Sequence, residues 1–105
     1  MTEGQYQTKV IKKLERMFPG CLVLKNDATY RQGIPDLILL WNDYWASLEV
    51  KIGPSIRKQA NQDYYVDKLS EMSFAAYIYP DVEEEVLNAL QQAFKSPRRA
   101  RVSQS

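Results

Sequence analysis

The stretch "GIPDLILLWNDYWASLEVKIG", from Gly33 to Gly53, constrains the fold more than any other part of the chain. It holds two apolar runs separated by Asn42, Asp43 and Tyr44, which read as a tight turn. The first run, "DLILLW", is apolar at consecutive positions and reads as a central strand covered on both faces. The second, "WASLEVKI", sends Trp45, Ser47, Glu49 and Lys51 to one side and Ala46, Leu48, Val50 and Ile52 to the other. With the turn centred near Asp43, residue 36 falls opposite residues 49 to 51, to within about one residue. Asp36, Glu49 and Lys51 therefore converge at one end of a hairpin that is otherwise built for burial. Buried charge is costly unless it is paired or bound to a cation.

The flanking sequence supplies the elements that cover such a hairpin. Thr2 with Gln5 forms a capping box, and Tyr6, Val10, Leu14, Met17 and Phe18 share one helical stripe. "FPG" at 18 to 20 ends that helix. Cys21 to Lys25 reads as a short strand and Asn26 to Gly33 as a loop. Beyond Gly53 and Pro54, Ser55 is the expected N-cap of a helix running to about Met72. A strand follows at 73 to 79, then a last helix with Val82, Val86, Leu87, Leu90 and Phe94 facing inward. Glu83, Glu84 and Glu85 in its first turn are read as favourable helix-start charges. The order is α-β-β-β-α-β-α. It predicts an α/β fold with a central mixed sheet flanked by helices, as one domain over residues 1–94.

What is missing narrows the chemistry. The 105 residues include no histidine, one cysteine and four scattered glycines. That excludes Ser-His-Asp catalysis, His-ligated zinc, multi-cysteine metal sites and phosphate-cradling glycine loops. The lone Cys21, in "CLVL", reads as a small buried hydrophobe. The longest apolar run, "LILLW", is far shorter than a membrane span, and "MTEGQYQTKV" lacks the order of a signal peptide. A cytoplasmic location with no membrane partner is the expectation. The net charge of +1 hides an asymmetry: residues 95–105 carry Lys95, Arg98, Arg99 and Arg101 and no acid. This tail reads as disordered, and either touches nucleic-acid phosphates or is a solvated terminus.

Two carboxylates beside a lysine at a strand end suit a hard divalent cation such as magnesium, which takes oxygen ligands and keeps several waters. Such a metal polarises a phosphoryl oxygen and acidifies a bound water, and the lysine can orient that water or offset developing charge. The alternative is a structural salt bridge, Asp36–Lys51 or Glu49–Lys51.

"GIPD" at 33 to 36, a short hairpin and "EVK" at 49 to 51, set in this element order, resemble the PD-(D/E)XK nuclease superfamily. The succession of Glu3, Gly33 to Asp36, Glu49 to Lys51 and Gln62, with "QDYYVDKL" from 62 to 69, is similar to its VRR-NUC branch. The chain departs from that branch where its fourth strand ends on "YIYP". The resemblance implies a restriction-endonuclease-like core. It also implies that Asp36 and Glu49 hold a metal, with the Val50 carbonyl and Glu3 as further ligands. Lys51 would act on the attacking water, and Gln62 would support the site. The metal would be magnesium, with manganese able to substitute. Glu15 is the alternative to Glu3, and Gln59 to Gln62.

"KNDATYRQG" leads directly into Asp36, which places Lys25, Asn26, Tyr30 and Arg31 for an approach of DNA. Asn26 and Thr29 read equally as turn formers. Arg57 and Lys58 either meet phosphates or stay solvated. The expected activity is magnesium-dependent cleavage of DNA, with shape recognised before sequence, since no helix-turn-helix or finger is present. By the same resemblance, the substrate would be branched DNA and the protein a homodimeric, phage-type Holliday-junction resolvase acting in the host cytoplasm. A nicking or flap endonuclease, or a non-catalytic nucleic-acid-binding domain, are the alternatives. Among the seven tyrosines and two tryptophans, Tyr44 and Trp45, with Tyr64 or Tyr65, are candidates for the dimer contact, although Tyr65 suits a core role better.

Overall fold

The computed structural model describes residues 1–27, 29–53 and 61–95. Helix α1 spans Glu3–Met17. Its capping box is formed, the Gln5 amide donating to Thr2 Oγ1 at 3.1 Å and the Thr2 amide to Gln5 Oε1 at 2.9 Å. The Phe18 amide closes the helix on the Leu14 carbonyl, and Gly20, at φ 88°, turns the chain away in a conformation only glycine adopts freely. Strands β1 (Leu22–Lys25), β2 (Leu37–Trp41) and β3 (Tyr44–Val50) follow as an antiparallel meander. Asn42, at φ 54°, is the left-handed residue of the β2–β3 turn, a position asparagine tolerates. Helix α2 (Gln62–Met72) then crosses over to β4 (Phe74–Ile78), which pairs parallel with β3. A 3₁₀ turn, Pro80–Val82, leads into α3 (Glu83–Ala93). The result is an α/β arrangement: a mixed four-stranded sheet in the order β1-β2-β3-β4 with three helices among the described residues.

Register and burial divide the sheet into two unlike faces. Leu37, Leu39, Ala46, Leu48, Val50 and Ile78 form one core with Tyr6, Val10, Leu14 and Phe18 of α1 and its C-cap, and Leu87, Leu90 and Phe94 from α3 and its end. The other face carries Ile38, Leu40, Trp45, Ser47 and Glu49, and among the described elements α2 packs there, against β3 and β4. The expectation that "DLILLW" is covered on both sides is therefore corrected. Leu40 is 37% exposed, and Leu22 and Leu24 of the edge strand β1 are exposed beside it. Consecutive apolar residues signal double cover only where an element lies over each face, and among the described residues α2 lies mainly over β3 and β4.

Two further expectations change. The helix expected from Ser55 to Met72 begins at Gln62, because Asn61 sits at φ 71°, outside helical geometry. Its proposed cap, Ser55, lies outside the described residues. Tyr44 does not stand free for a dimer contact. It stacks on Phe94 at 5.1 Å and on Trp41 at 6.4 Å, within a cluster that also takes in Phe18. Tyr64 remains 60% exposed. Glu83 does more than favour a helix start. It pairs with Lys13 and accepts from the Tyr6 hydroxyl, tying α1 to the first turn of α3. Burial pushes its carboxyl up, but Lys13 and the Tyr6 hydroxyl outweigh that and hold it low. Cys21 is half-buried against the core, its thiol raised by burial.

Candidate active site

The hairpin register runs from Trp41 opposite Tyr44 to Leu37 opposite Leu48, so its next step sets Asp36 beside Glu49. The two carboxylates lie on the face that α2 covers. Asp36 is delivered by a short, tightly fixed segment. Gly33 turns at φ 90°, Pro35 is fully buried, and Asn26 clamps the peptide groups on both sides of the Asp36 Cα. The Asn26 side chain donates to the Pro35 carbonyl at 2.6 Å and its amide to the Asp36 carbonyl at 2.8 Å. The Asp36 carboxylate in turn accepts from the Val50 amide at 2.9 Å, bridging the two strands.

Glu49 is the centre of the arrangement. It is 2% exposed, near the end of β3. Its Oε2 accepts from Gln62 Nε2 at 2.8 Å and lies 3.4 Å from Lys51 Nζ. Its Oε1 is buried with no hydrogen-bond partner. Burial, and next the neighbouring Asp36 charge, push its carboxyl up to about 7, against the pull of Lys51. Lys51 is itself only 6% exposed, and its backbone amide donates to the Ile78 carbonyl at 2.9 Å, so β4 fixes it. Gln62, 4% exposed, opens α2. The Glu49–Lys51 form of the salt bridge is thus present, and it leaves one carboxylate oxygen unserved.

That oxygen is a test of whether a cation fits. A buried carboxylate oxygen without a donor is costly, and a metal ion would serve it together with the adjacent Asp36. Among the described residues no group of three or more cysteine, aspartate or glutamate side chains is placed to hold a metal ion. The side chains supply two carboxylates, and backbone oxygen (the Val50 carbonyl lies between Glu49 and Lys51 in the chain) and water would complete the shell, as a hard cation permits.

The other expected residues divide. Glu3 lies in the first turn of α1, half-buried. The Tyr6–Glu83 contact puts that turn near the start of α3, which follows the end of β4. Among the described residues no hydrogen bond or ion pair joins Glu3 to Asp36, Glu49 or Lys51. Glu15 is exposed, three turns further along α1. Arg31 donates to the Tyr65 hydroxyl at 3.1 Å and packs over the Tyr30 ring, which ties the loop before Asp36 to α2. Lys25 pairs with Leu37 and so falls on the opposite parity from Asp36, exposed at the sheet edge. Thr29 is a turn former, donating twice to the Asp27 carboxylate, whereas Asn26 bonds across the loop to Pro35 and Asp36. Trp45 sits four residues before Glu49, about 13 Å along β3, so it is no wall of the site. Arg57, Lys58, Gln59 and the tail from Ser96 onward lie outside the described residues.

Two contributors are not evident from sequence. Asn26 reads there as a DNA contact or a turn residue, whereas it also buttresses the Asp36 segment. Tyr77, opposite Glu49 in the β3–β4 register, donates its hydroxyl to Asp63, the residue after Gln62. Burial first, and Asp63 next, raise the Tyr77 phenol, so it stays protonated. A parallel register set by a crossover helix has no local signal that would reveal this pairing. No family model, curated protein or solved structure compared with the chain matches it.

Proposed function

We propose that this chain is a metal-dependent endonuclease of the restriction-endonuclease-like type, hydrolysing phosphodiester bonds in DNA. The observation that carries the reading is the buried Glu49, whose Oε1 lacks a partner beside Asp36 and Lys51. Asp36 and Glu49 are the residues to hold magnesium, with the Val50 carbonyl and Glu3 as further donors. Magnesium, when bound, supplies Lewis acidity at a phosphoryl oxygen and acidifies a water.

The chain's own groups do the rest. Gln62 holds Glu49 in one rotamer through Oε2. Lys51 presents a cation beside the carboxylates, where it orients a water for in-line attack and offsets charge on the phosphorane. Asn26 and Pro35 hold Asp36 on its strand end. Branched DNA with a homodimeric resolvase remains the favoured substrate and assembly, on the sequence resemblance. The Glu49–Lys51 ion pair also fits a rival, a non-catalytic nucleic-acid-binding domain whose charges only balance one another.

The deciding experiment incubates the chain with labelled duplex, single-stranded, flap and four-way DNA, with magnesium or with chelator. Cleavage that needs magnesium and is lost in Asp36→Ala supports the proposal. Binding without cleavage of any DNA supports the rival. Nicking of flaps with no action on four-way junctions moves the substrate to the flap or nicking class.

A further inference from the structure

A concavity adjoins the site at Lys51. It has a volume of about 440 Å³ and lies between α3 and β4, the last strand of the sheet among the described residues. Lys51 is part of its wall, so the residue whose side chain pairs with Glu49 also borders this pocket. The remaining wall is mainly aromatic and aliphatic: Phe74 and Tyr79 at or beyond the ends of β4, Tyr77 within it, and Val86 from α3. Glu85, exposed, stands at α3 as the acidic residue of the lining. The volume lies within the range of pockets that take small organic groups.

We infer that this pocket receives one unpaired nucleobase from the nucleotide next to the phosphate held at Asp36, Glu49 and Lys51. The inference rests on the nuclease reading and deepens it by naming what in a DNA the site selects. Three observations favour a base over other occupants. The pocket shares Lys51 with the residues proposed to handle the phosphate, which puts it within reach of a nucleotide next to that phosphate. Phe74, Tyr77 and Tyr79 give the lining an aromatic character, which suits a base and not a phosphate. Glu85 can accept from an exocyclic amino group, present on adenine, cytosine and guanine but not on thymine. A base inside a stacked duplex cannot reach the pocket without unpairing, and that cost is lowest at branches, flaps and mismatches. The pocket therefore supplies a physical cause for structure selectivity in a chain this small.

The test is a coupling cycle on kcat/KM in magnesium. The full chain is given a four-way junction and a flap of defined sequence. Each nucleotide flanking the cut is replaced in turn by an abasic residue. In the wild type, one such position should lower kcat/KM about tenfold. Val86→Trp, which fills the pocket from a half-buried helix position, should lower kcat/KM on the intact DNA by a similar factor. Abasic substitution should then cost nothing more in that variant. Tyr79→Ala should reproduce this non-additivity without adding bulk, and circular dichroism checks that both variants fold. Glu85→Gln should narrow the preference for amino-bearing bases over thymine at that position. Cleavage by the wild type that no abasic position alters, or losses that multiply between variant and substitution, would overturn the pocket while leaving the nuclease standing. Failure of the wild type to cut any DNA would overturn both.

Discussion

Glu49 is buried for stability and charged for the proposed chemistry, and titration separates the two. Its carboxyl is raised from the ordinary 4.5 to about 7 by burial first and by Asp36 second. The folded state therefore binds its proton more tightly than the unfolded state does. The stabilisation is complete below about pH 4.5 and is lost as pH rises through about 7. Metal-free protein should melt at progressively lower temperature from pH 5 to pH 8, a loss of up to roughly 3 kcal/mol from this group. If Glu49 holds magnesium as proposed, the metal should reverse that trend by replacing the proton as the partner of the carboxylate. Glu49→Gln keeps an acceptor for Gln62 and removes the charge. Its melting temperature should be nearly flat across the same range and unmoved by magnesium, while cleavage disappears. A thermal scan against pH with and without the metal reads all of this. Lys51→Ala should cut the rate by about 10²-fold or more if it stabilises charge at the reacting phosphate, with KM changed far less. It also leaves Glu49 without its cation, so its stability must be measured alongside.

At the scale of elements, the site is legible in the sequence where geometry is local and hidden where it is not. The alternation of "WASLEVKI" and the tight turn put Asp36 beside Glu49 to within one residue of the observed register. The capping box and the inward stripe of α1 are equally plain. The partial cover of β2 is not, because it depends on where α2 lands, and that is decided by the parallel pairing of β3 with β4. Asn61 reads as part of a helix, since a single left-handed residue leaves no mark on apolar periodicity. Asn26 likewise reads as ordinary loop chemistry, though its side chain holds the Pro35 carbonyl. Asn26→Ala should lower stability by about 1 kcal/mol through that lost hydrogen bond. If the clamp positions Asp36, the variant should also need more magnesium for half-maximal cleavage, with little change in rate at saturating metal. Gln62→Ala should act differently. It frees Glu49 Oε2, so both the metal requirement and the saturated rate should suffer.

For the whole molecule, charge and topology set the terms. Residues 95–105 hold four of the fourteen basic side chains and none of the thirteen acidic ones, so the body is net negative. Deleting them should weaken DNA binding and flatten its dependence on salt, by a slope reduction of up to about four if every charge meets a phosphate. Cleavage at saturating protein should persist, and an unchanged slope would mark the tail as a bystander. Among the described residues no helix is long and apolar enough to cross a membrane. The parallel β3–β4 pairing has a further consequence, in the order of assembly. The β1–β2–β3 meander joins neighbours in sequence, so its loops close at little entropic cost. The partners that bury Glu49 and fix Lys51 arrive only with Gln62 and Ile78, after the chain has passed through α2 and into β4. Non-local pairing of that kind is the slow step of folding. Asp36 and Glu49 would thus be neighbours early in a chain that cannot yet exclude water from them. Pulsed hydrogen exchange should protect the β2 and β3 amides before the Lys51 amide, and refolding should regain hairpin structure before it regains magnesium-dependent stabilisation.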